Sequence, residues 1–105
     1  MVKMLDTLDD FKAAINGNEG KLVVIDFFAT WCPPCVALAP EFEKLAEEND
    51  DVVFAKVDVD KNGDASSEVE ITCMPTIIFF KNGEKVKRIE GADLDEIKQT
   101  VADNK

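Results

Sequence analysis

The sequence contains no histidine among its 105 residues. This absence excludes catalytic pairs in which an imidazole activates a serine or a cysteine, and it excludes metal sites that need a histidine ligand. The chemistry left to the chain is therefore that of cysteine and carboxylate side chains. Only three cysteines occur, at positions 32, 35 and 73.

Positive charge is also scarce, because 12 Lys and Arg residues face 22 Asp and Glu residues, which leaves a net charge of −10. Nucleic-acid binding needs clustered cations, so we expect no nucleic-acid partner. A well-solvated acidic surface is the ordinary interpretation, and attraction of a basic partner is the alternative.

Long apolar runs are absent as well. No stretch approaches the length of a membrane-spanning helix, and charge begins at Lys3, so we expect neither a membrane segment nor a signal peptide. We therefore expect a cytoplasmic protein. In that compartment a pair of cysteines separated by two residues is usually catalytic or metal-binding rather than a structural disulfide.

Strand-like and helix-like apolar patterns alternate along residues 1–105, which we predict to form one domain. Strands are predicted over residues 2–5, 21–29, 52–59, 76–80 and 84–89. Helices are predicted after Thr7, from about Cys32 to Asn49 with a kink at Pro40, from Gly63 to Val69, and from about Asp93 to Ala102. The order βαβαβαββα predicts an α/β fold, with a central mixed five-stranded sheet flanked by four helices.

The motif Trp31-Cys32-Pro33-Pro34-Cys35 follows a strand and opens a helix. A thiol at a helix N-terminus meets unpaired backbone N–H groups and the positive end of the helix dipole, which favour a thiolate. We therefore predict a redox dithiol in which Cys32, exposed at the turn, attacks a disulfide, and Cys35, one turn further in, resolves the intermediate. A metal shared between two chains and an inert core pair are the alternatives.

Metal binding has little support elsewhere in the chain. A zinc site in one chain would need four ligands, and only Cys73 could join the first two cysteines. The segment from Asp58 to Gly63 matches the start of a calcium-binding loop, but Val69 stands where the bidentate glutamate should follow. We predict no metal site.

Asp26 lies inside the apolar run from Val23 to Phe28, where a buried charge is expensive. Burial should raise the pKa of its carboxyl group and make it a proton carrier near neutral pH, although an aspartate facing solvent is the alternative. Lys56, on the third strand, is the one cation with a plausible route to Asp26. A simple solvent-facing lysine is nevertheless the interpretation that the sequence favours for that residue.

Several stretches together resemble the thioredoxin family, and the resemblance spans essentially the whole chain. The matching stretches are Val23 to Cys32, Cys35, Pro40, Val57 to Asp60, Met74 to Thr76, Phe79-Phe80 and Gly91-Ala92. The cysteine pair alone would be a weak signal. With Asp26 six residues before Cys32 and Met74-Pro75 after the pair, the combination is very specific.

This resemblance implies the thioredoxin fold and protein-disulfide reduction, with Cys32 as the nucleophile and Cys35 as the resolving thiol. It implies that Asp26 is buried and helps Cys35 exchange its proton through water, with Lys56 modulating that exchange. No cofactor is implied beyond the redox-active pair itself.

The resemblance also implies a surface for substrates. Pro75 would follow a cis peptide bond, and the backbone of the segment from Met74 to Thr76 would dock the substrate chain like an added strand. Trp31 would shield the dithiol, and Gly91-Ala92 would complete the apolar patch.

The implied partners are disulfide-containing proteins and an NADPH-dependent thioredoxin reductase. Cys73 is similar to the additional cysteine of animal-type cytosolic thioredoxins, where it could form an intermolecular disulfide. The expected state is a monomer, with a Cys73-linked dimer as the alternative.

The chain departs from the usual motif at Pro33, where the family has glycine, and at Val36, where it has a basic residue. Pro33 is predicted to stiffen the turn and removes an N–H group near the sulfur, and Pro34 disfavours helical geometry before it. The double-proline motif is similar to that of tryparedoxins and nucleoredoxins. Such a carrier, a disulfide oxidase or isomerase, and a redox-dependent binding module are therefore the alternatives to a reductase.

Overall fold

The computed structural model describes all residues from Met1 to Lys105. The elements in chain order are β1 (Val2–Met4), α1 (Leu8–Asn16), β2 (Leu22–Phe28), α2 (Pro33–Glu48), β3 (Val53–Asp58), α3 (Gly63–Glu68), β4 (Thr76–Lys81), β5 (Glu84–Glu90) and α4 (Leu94–Asn104). The predicted order of strands and helices is confirmed. Boundaries differ from the predictions by no more than two residues, the largest difference being the longer α4.

The five strands form one sheet in the order β1-β3-β2-β4-β5. Strands β1, β2 and β3 run parallel, whereas β4 is antiparallel to β2 and β5 is antiparallel to β4. The strand β2 is therefore central, and its Asp26 stands beside Lys56 of β3 and Ile77 of β4. This register places a carboxyl group in the middle of the sheet.

Each face of the sheet is covered by two helices. Leu22 and Val24 of β2 pack with α2 and α4 on one face, and Val23, Ile25 and Phe27 pack with α1 and α3 on the other. Side chains alternate between faces along a strand, so Asp26 belongs to the face that α2 covers. The near-continuous apolar run of β2 is explained by this double coverage.

Prolines occupy both the start and the middle of α2. Pro33 and Pro34 lie in the first turn, where a missing N–H group costs little because those groups lack helical partners. Pro40 lies inside the helix without ending it, as predicted, although it removes one helical hydrogen bond. None of the helices is both long and apolar enough to cross a membrane.

The connection between β4 and β5 is the tight turn predicted at Asn82-Gly83. Both residues have positive φ, 54° for Asn82 and 81° for Gly83, as a type I′ turn requires. The side chain of Asn82 also accepts a hydrogen bond of 2.8 Å from the backbone of Gly20. Asn82 thereby holds the hairpin to the loop that precedes β2.

Candidate active site

Cys32 is the N-cap residue of α2, in extended backbone geometry. Its sulfur accepts a hydrogen bond of 3.3 Å from the backbone N–H of Cys35, and it lies 3.6 Å from the carbonyl oxygen of Met74. A sulfur at an N-cap position satisfies one of the N–H groups that the helix leaves unpaired. The attacking sulfur therefore lies at the positive end of the helix dipole, within reach of an N–H donor.

The prediction that Cys32 is exposed is wrong. Cys32 is only 5% exposed, nearly as little as Cys35 at 3%. The reason is packing from distant segments, because Val59 and Met74 join Phe28 against the two cysteines. Burial therefore does not distinguish the two thiols, and their different contacts have to do so.

The thiol of Cys35 is the harder one to ionise. Burial, a hydrogen bond with Cys32 and the nearby charges of Cys32 and Asp26 together raise the pKa of Cys35 to about 12, against a partial lowering by a hydrogen bond with the Ala29 backbone. At neutral pH this thiol keeps its proton. It therefore needs a base before it can attack another sulfur.

Asp26 is buried as predicted, with 3% of its surface exposed. Its Oδ1 atom is fully buried and makes no hydrogen bond within the protein. Burial raises the pKa of the carboxyl group from 3.8 to about 7, even though the positive charge of Lys56 acts to lower it. A group with that pKa can both take and give a proton near neutral pH.

A small cavity of about 40 Å³ connects the carboxyl group with the resolving thiol. The residues that line it are Val2, Asp26, Phe28, Cys35, Ala39, Phe42, Glu43 and Lys56. A buried water molecule needs roughly 10–15 Å³ on the same measure, so the cavity has room for at least one. A proton can therefore pass between Asp26 and Cys35 without direct contact of the two side chains.

Lys56 is half-buried beside this cavity rather than fully solvent-facing. Its Nζ atom lies 5.6 Å from the centroid of the Phe28 ring, a cation–π distance. The parallel register of β2 and β3 places it next to Asp26. The structure therefore places Lys56 beside Asp26, and not as the simple solvent-facing lysine that the sequence favoured.

The segment before β4 lies against the dithiol. The Met74–Pro75 peptide bond is cis, and Pro75 and Thr76 are buried while Met74 is half-buried. The carbonyl oxygen of Pro75 accepts a hydrogen bond of 2.9 Å from the N–H of Gly91. Pro75 and Gly91 were both predicted to contact the substrate, and this hydrogen bond holds them next to each other.

The remaining predicted residues lie around the rim. Trp31 is 65% exposed, and Pro33, Pro34 and Ala92 are exposed as well. Cys73 is half-buried, and its sulfur lies 3.7 Å from the hydroxyl oxygen of Thr76. No group of three or more His, Cys, Asp or Glu side chains is arranged to hold a metal ion.

Asp60 is a site residue that the sequence reasoning missed. Its carboxylate accepts a hydrogen bond of 2.8 Å from the indole N–H of Trp31 and so fixes the orientation of the exposed ring. Asp60 lies within a stretch that matched the family, but nothing in the local sequence connects it with a residue 29 positions earlier. The one available signal was Trp31 itself, because an indole N–H group usually finds a hydrogen-bond acceptor nearby.

These features together define a class of protein. A dithiol begins a helix at the end of a central strand, and a carboxyl group with a pKa near neutrality lies beneath it. This arrangement supplies a nucleophile, a resolving thiol and a proton acceptor. The fold and the site are those of a thiol–disulfide oxidoreductase.

Comparison with known proteins gives the particular family. The family described as Thioredoxin matches residues 2–103. Thioredoxin from Callithrix jacchus is 46% identical over 101 residues, which cover 96% of each chain. Thioredoxin-2 from Saccharomyces cerevisiae is 45% identical over 104 residues, which cover 99% of each chain.

Solved structures agree with the sequence matches. The X-ray structure of Fasciola hepatica thioredoxin has a TM-score of 0.97 and 44% identity, with 99% of this chain and 100% of that chain covered. The chain belongs to the thioredoxin family, and the predicted thioredoxin fold is confirmed. It is a protein-disulfide reductase, and the alternative of an oxidase or isomerase is not favoured by these relatives.

Proposed function

We propose that this chain reduces protein disulfides by two successive exchanges at Cys32 and Cys35. The Cys32 thiolate attacks one sulfur of the substrate disulfide, forms a mixed disulfide and releases one substrate thiolate. The Cys35 thiolate then attacks the Cys32 sulfur and releases the second substrate thiolate. The substrate gains two electrons, and the chain is left with a Cys32–Cys35 disulfide.

The single observation that carries this assignment is the hydrogen bond of 3.3 Å from the Cys35 N–H to the Cys32 sulfur. It places the Cys32 sulfur at the helix N-terminus against a backbone donor, while Cys35 retains its proton until a base removes it. The same contact places the second thiol next to the sulfur that it must attack.

Asp26 is the proposed base for the second step. Its pKa of about 7 lets it accept the Cys35 proton at neutral pH and return a proton when the dithiol is restored. The cavity shared by the two residues supports transfer through water. Lys56 modulates this transfer, because its positive charge favours the ionised form of the carboxyl group.

Substrate docking is assigned to the rim of the dithiol. The backbone of Met74, Pro75 and Thr76 would pair with an extended substrate chain, as in other cases where a peptide adds a strand. Trp31 would cover the mixed disulfide, and Gly91-Ala92 would complete the apolar contact. The prolines Pro33 and Pro34 keep the turn between the cysteines stiff.

The partners follow from the reaction. The oxidised chain must receive two electrons, and we assign their delivery to an NADPH-dependent reductase that reduces the Cys32–Cys35 disulfide. We place the protein in the cytoplasm, where such a dithiol can be kept reduced. Residues 1–105 would act as one domain and as a monomer, with Cys73 available for a regulatory intermolecular disulfide.

Three single substitutions to serine test the assignment, since each removes one thiol. In the Cys32→Ser variant, reduction of insulin disulfides should fall by at least about a thousandfold, because the nucleophile is gone. Cys35→Ser should accumulate a mixed disulfide visible by mass spectrometry, and Cys73→Ser should reduce insulin like the wild type. Insulin reduction by Cys32→Ser at the wild-type rate would overturn the proposal.

A further inference from the structure

Arg88 lies on the edge strand β5, but its side chain reaches the end of α3. One guanidinium nitrogen, Nη1, donates a hydrogen bond of 2.6 Å to the carbonyl oxygen of Val69. The other, Nη2, donates a hydrogen bond of 2.9 Å to the carbonyl oxygen of Glu70 and lies 3.3 Å from the carboxylate of Glu90. The Arg88 side chain is 20% exposed, and its contact with Val69 is the partly buried one, whereas those with Glu70 and Glu90 face solvent.

The two carbonyl groups that Arg88 binds follow the last helical residue of α3, Glu68. Inside α3 the last carbonyl groups are already bound, because the N–H groups of Glu70 and Ile71 donate to the carbonyl oxygens of Ser67 and Ser66. Glu70 has a φ of 54°, a left-handed conformation that is unfavourable for a residue with a side chain. Arg88 adds donors to the next two carbonyl groups, those of Val69 and Glu70, and so ties the chain that leaves α3 to β5.

The chain that leaves Glu70 leads directly to the dithiol. We call residues 71–75 the docking segment, because they connect this anchored end with Met74 and Pro75. Near its other end, the Met74 carbonyl lies 3.6 Å from the Cys32 sulfur, and the Pro75 carbonyl accepts a hydrogen bond from Gly91. The strand β5 and the residue after it thus anchor the docking segment at both ends.

We propose that Arg88 is a positioning residue for substrate docking, which rests on the docking role assigned to Met74 above. By fixing the start of the docking segment, it keeps the Met74 backbone in the one conformation that pairs with a substrate chain. The planar guanidinium group donates to two consecutive carbonyl groups at once, which the single ammonium group of a lysine does not reproduce. Arginine is therefore required at this position, and positive charge alone is insufficient.

The test compares Arg88→Met and Arg88→Lys with Lys85→Met, which removes an exposed positive charge from the same strand. Each variant is assayed with a cystine-containing peptide, which needs the docking segment, and with bis(2-hydroxyethyl) disulfide, which is too small to pair with it. For Arg88→Met we expect KM for the peptide to rise about tenfold with kcat unchanged, because docking geometry is lost. Arg88→Lys should be intermediate, and the small disulfide should react within about twofold of wild type in every variant.

Lys85→Met should match the wild type with both disulfides. The inference would be overturned if kcat/KM of Arg88→Met or Arg88→Lys fell by the same factor for both disulfides. It would also be overturned if these variants lost thermal stability without a change in kinetics, because Arg88 would then merely support the fold. Arg88→Lys decides the question alone if Arg88→Met does not fold. The Cys32→Ser variant separates the two ideas, because peptide reduction by that variant would contradict the proposed function itself.

Discussion

The surroundings of Cys32 and the cavity beneath Cys35 make two very different environments within one small site. Around Cys32 the contacts are backbone groups, because its sulfur accepts a hydrogen bond from a helix N–H and its thiol donates one to the Met74 carbonyl oxygen. Beneath Cys35 lies a cavity lined by apolar side chains, Glu43, Lys56 and the Asp26 carboxyl group, whose Oδ1 atom has no hydrogen-bond partner. The first region is suited to sulfur exchange and the second to proton transfer.

This difference shows why one helix turn can hold two thiols with different tasks. Both cysteines are almost fully buried, so exposure does not set their reactivity. The contacts of each sulfur differ instead, because the Cys32 sulfur accepts the N–H group at the start of α2 and burial disfavours the thiolate of Cys35. Substitutions that alter one region and leave the other intact can therefore test the division.

The largest expected effect is on stability and comes from Asp26→Asn. This substitution removes the carboxylate charge of Asp26 from the cavity beneath Cys35. The folded-state pKa of about 7 lies above the value of 3.8, so the folded chain holds a proton that the unfolded chain releases. Wild-type stability should thus fall as pH rises from about 4 to 7 through this group. The total cost is about 4 kcal/mol, since one pKa unit is about 1.4 kcal/mol.

Urea unfolding of the reduced proteins at pH 4 and pH 8 measures this cost. Asp26→Asn should be more stable than wild type by several kcal/mol at pH 8 and by little at pH 4. The exposed Asp51→Asn provides the control, because it removes a carboxylate that is not buried. An advantage of equal size at both pH values would mean that Asp26 is not a buried group that charges near neutrality.

A smaller effect is expected from Lys56→Met, which keeps the carboxyl group but removes the cation beside it. The pKa of Asp26 should then rise further, because Lys56 acts to lower it. The pH at which disulfide reduction reaches half its maximal rate should move upward, with a loss below about tenfold at pH 7. Lys44→Met on the exposed face of α2 is the control, and an unchanged midpoint in Lys56→Met would remove Lys56 from the account.

The smallest effect is expected near Cys32, from the substitution Asp60→Ala. This change removes the acceptor of the Trp31 indole N–H, so the exposed ring should become more mobile. Trp31 is the only tryptophan of the chain, so lower fluorescence anisotropy reports the change directly. The value of kcat/KM for insulin should fall by at most about threefold. Unchanged anisotropy would show that Asp60 does not hold the ring.

Much of the fold and part of the site could be predicted because their signals are local or follow from strand register. The apolar periods give the element order, and Asn82-Gly83 gives the hairpin. Asp26 within an apolar run predicts a buried carboxyl group, and parallel pairing of its strand with the next one predicts its proximity to Lys56.

What the sequence did not reveal depends on contacts between distant segments. The burial of Cys32 arises from Val59 and Met74, which approach only after the chain has folded. The Trp31–Asp60 hydrogen bond and the reach of Arg88 to α3 likewise join residues on separate elements. No periodicity or spacing encodes such contacts. Arg88 is the only arginine of the chain, yet nothing in the sequence identifies the carbonyl groups that it binds.

The most direct test of the division between the two regions is a single-turnover measurement on wild type and Asp26→Asn at pH 7. The reduced proteins are mixed with a disulfide peptide, quenched with acid at successive times and analysed for the mixed disulfide at Cys32. We predict that attack proceeds at the same rate in both, while resolution by Cys35 is at least about tenfold slower in Asp26→Asn, so that the mixed disulfide accumulates. Equal slowing of attack, or no accumulation of the mixed disulfide, would contradict the account.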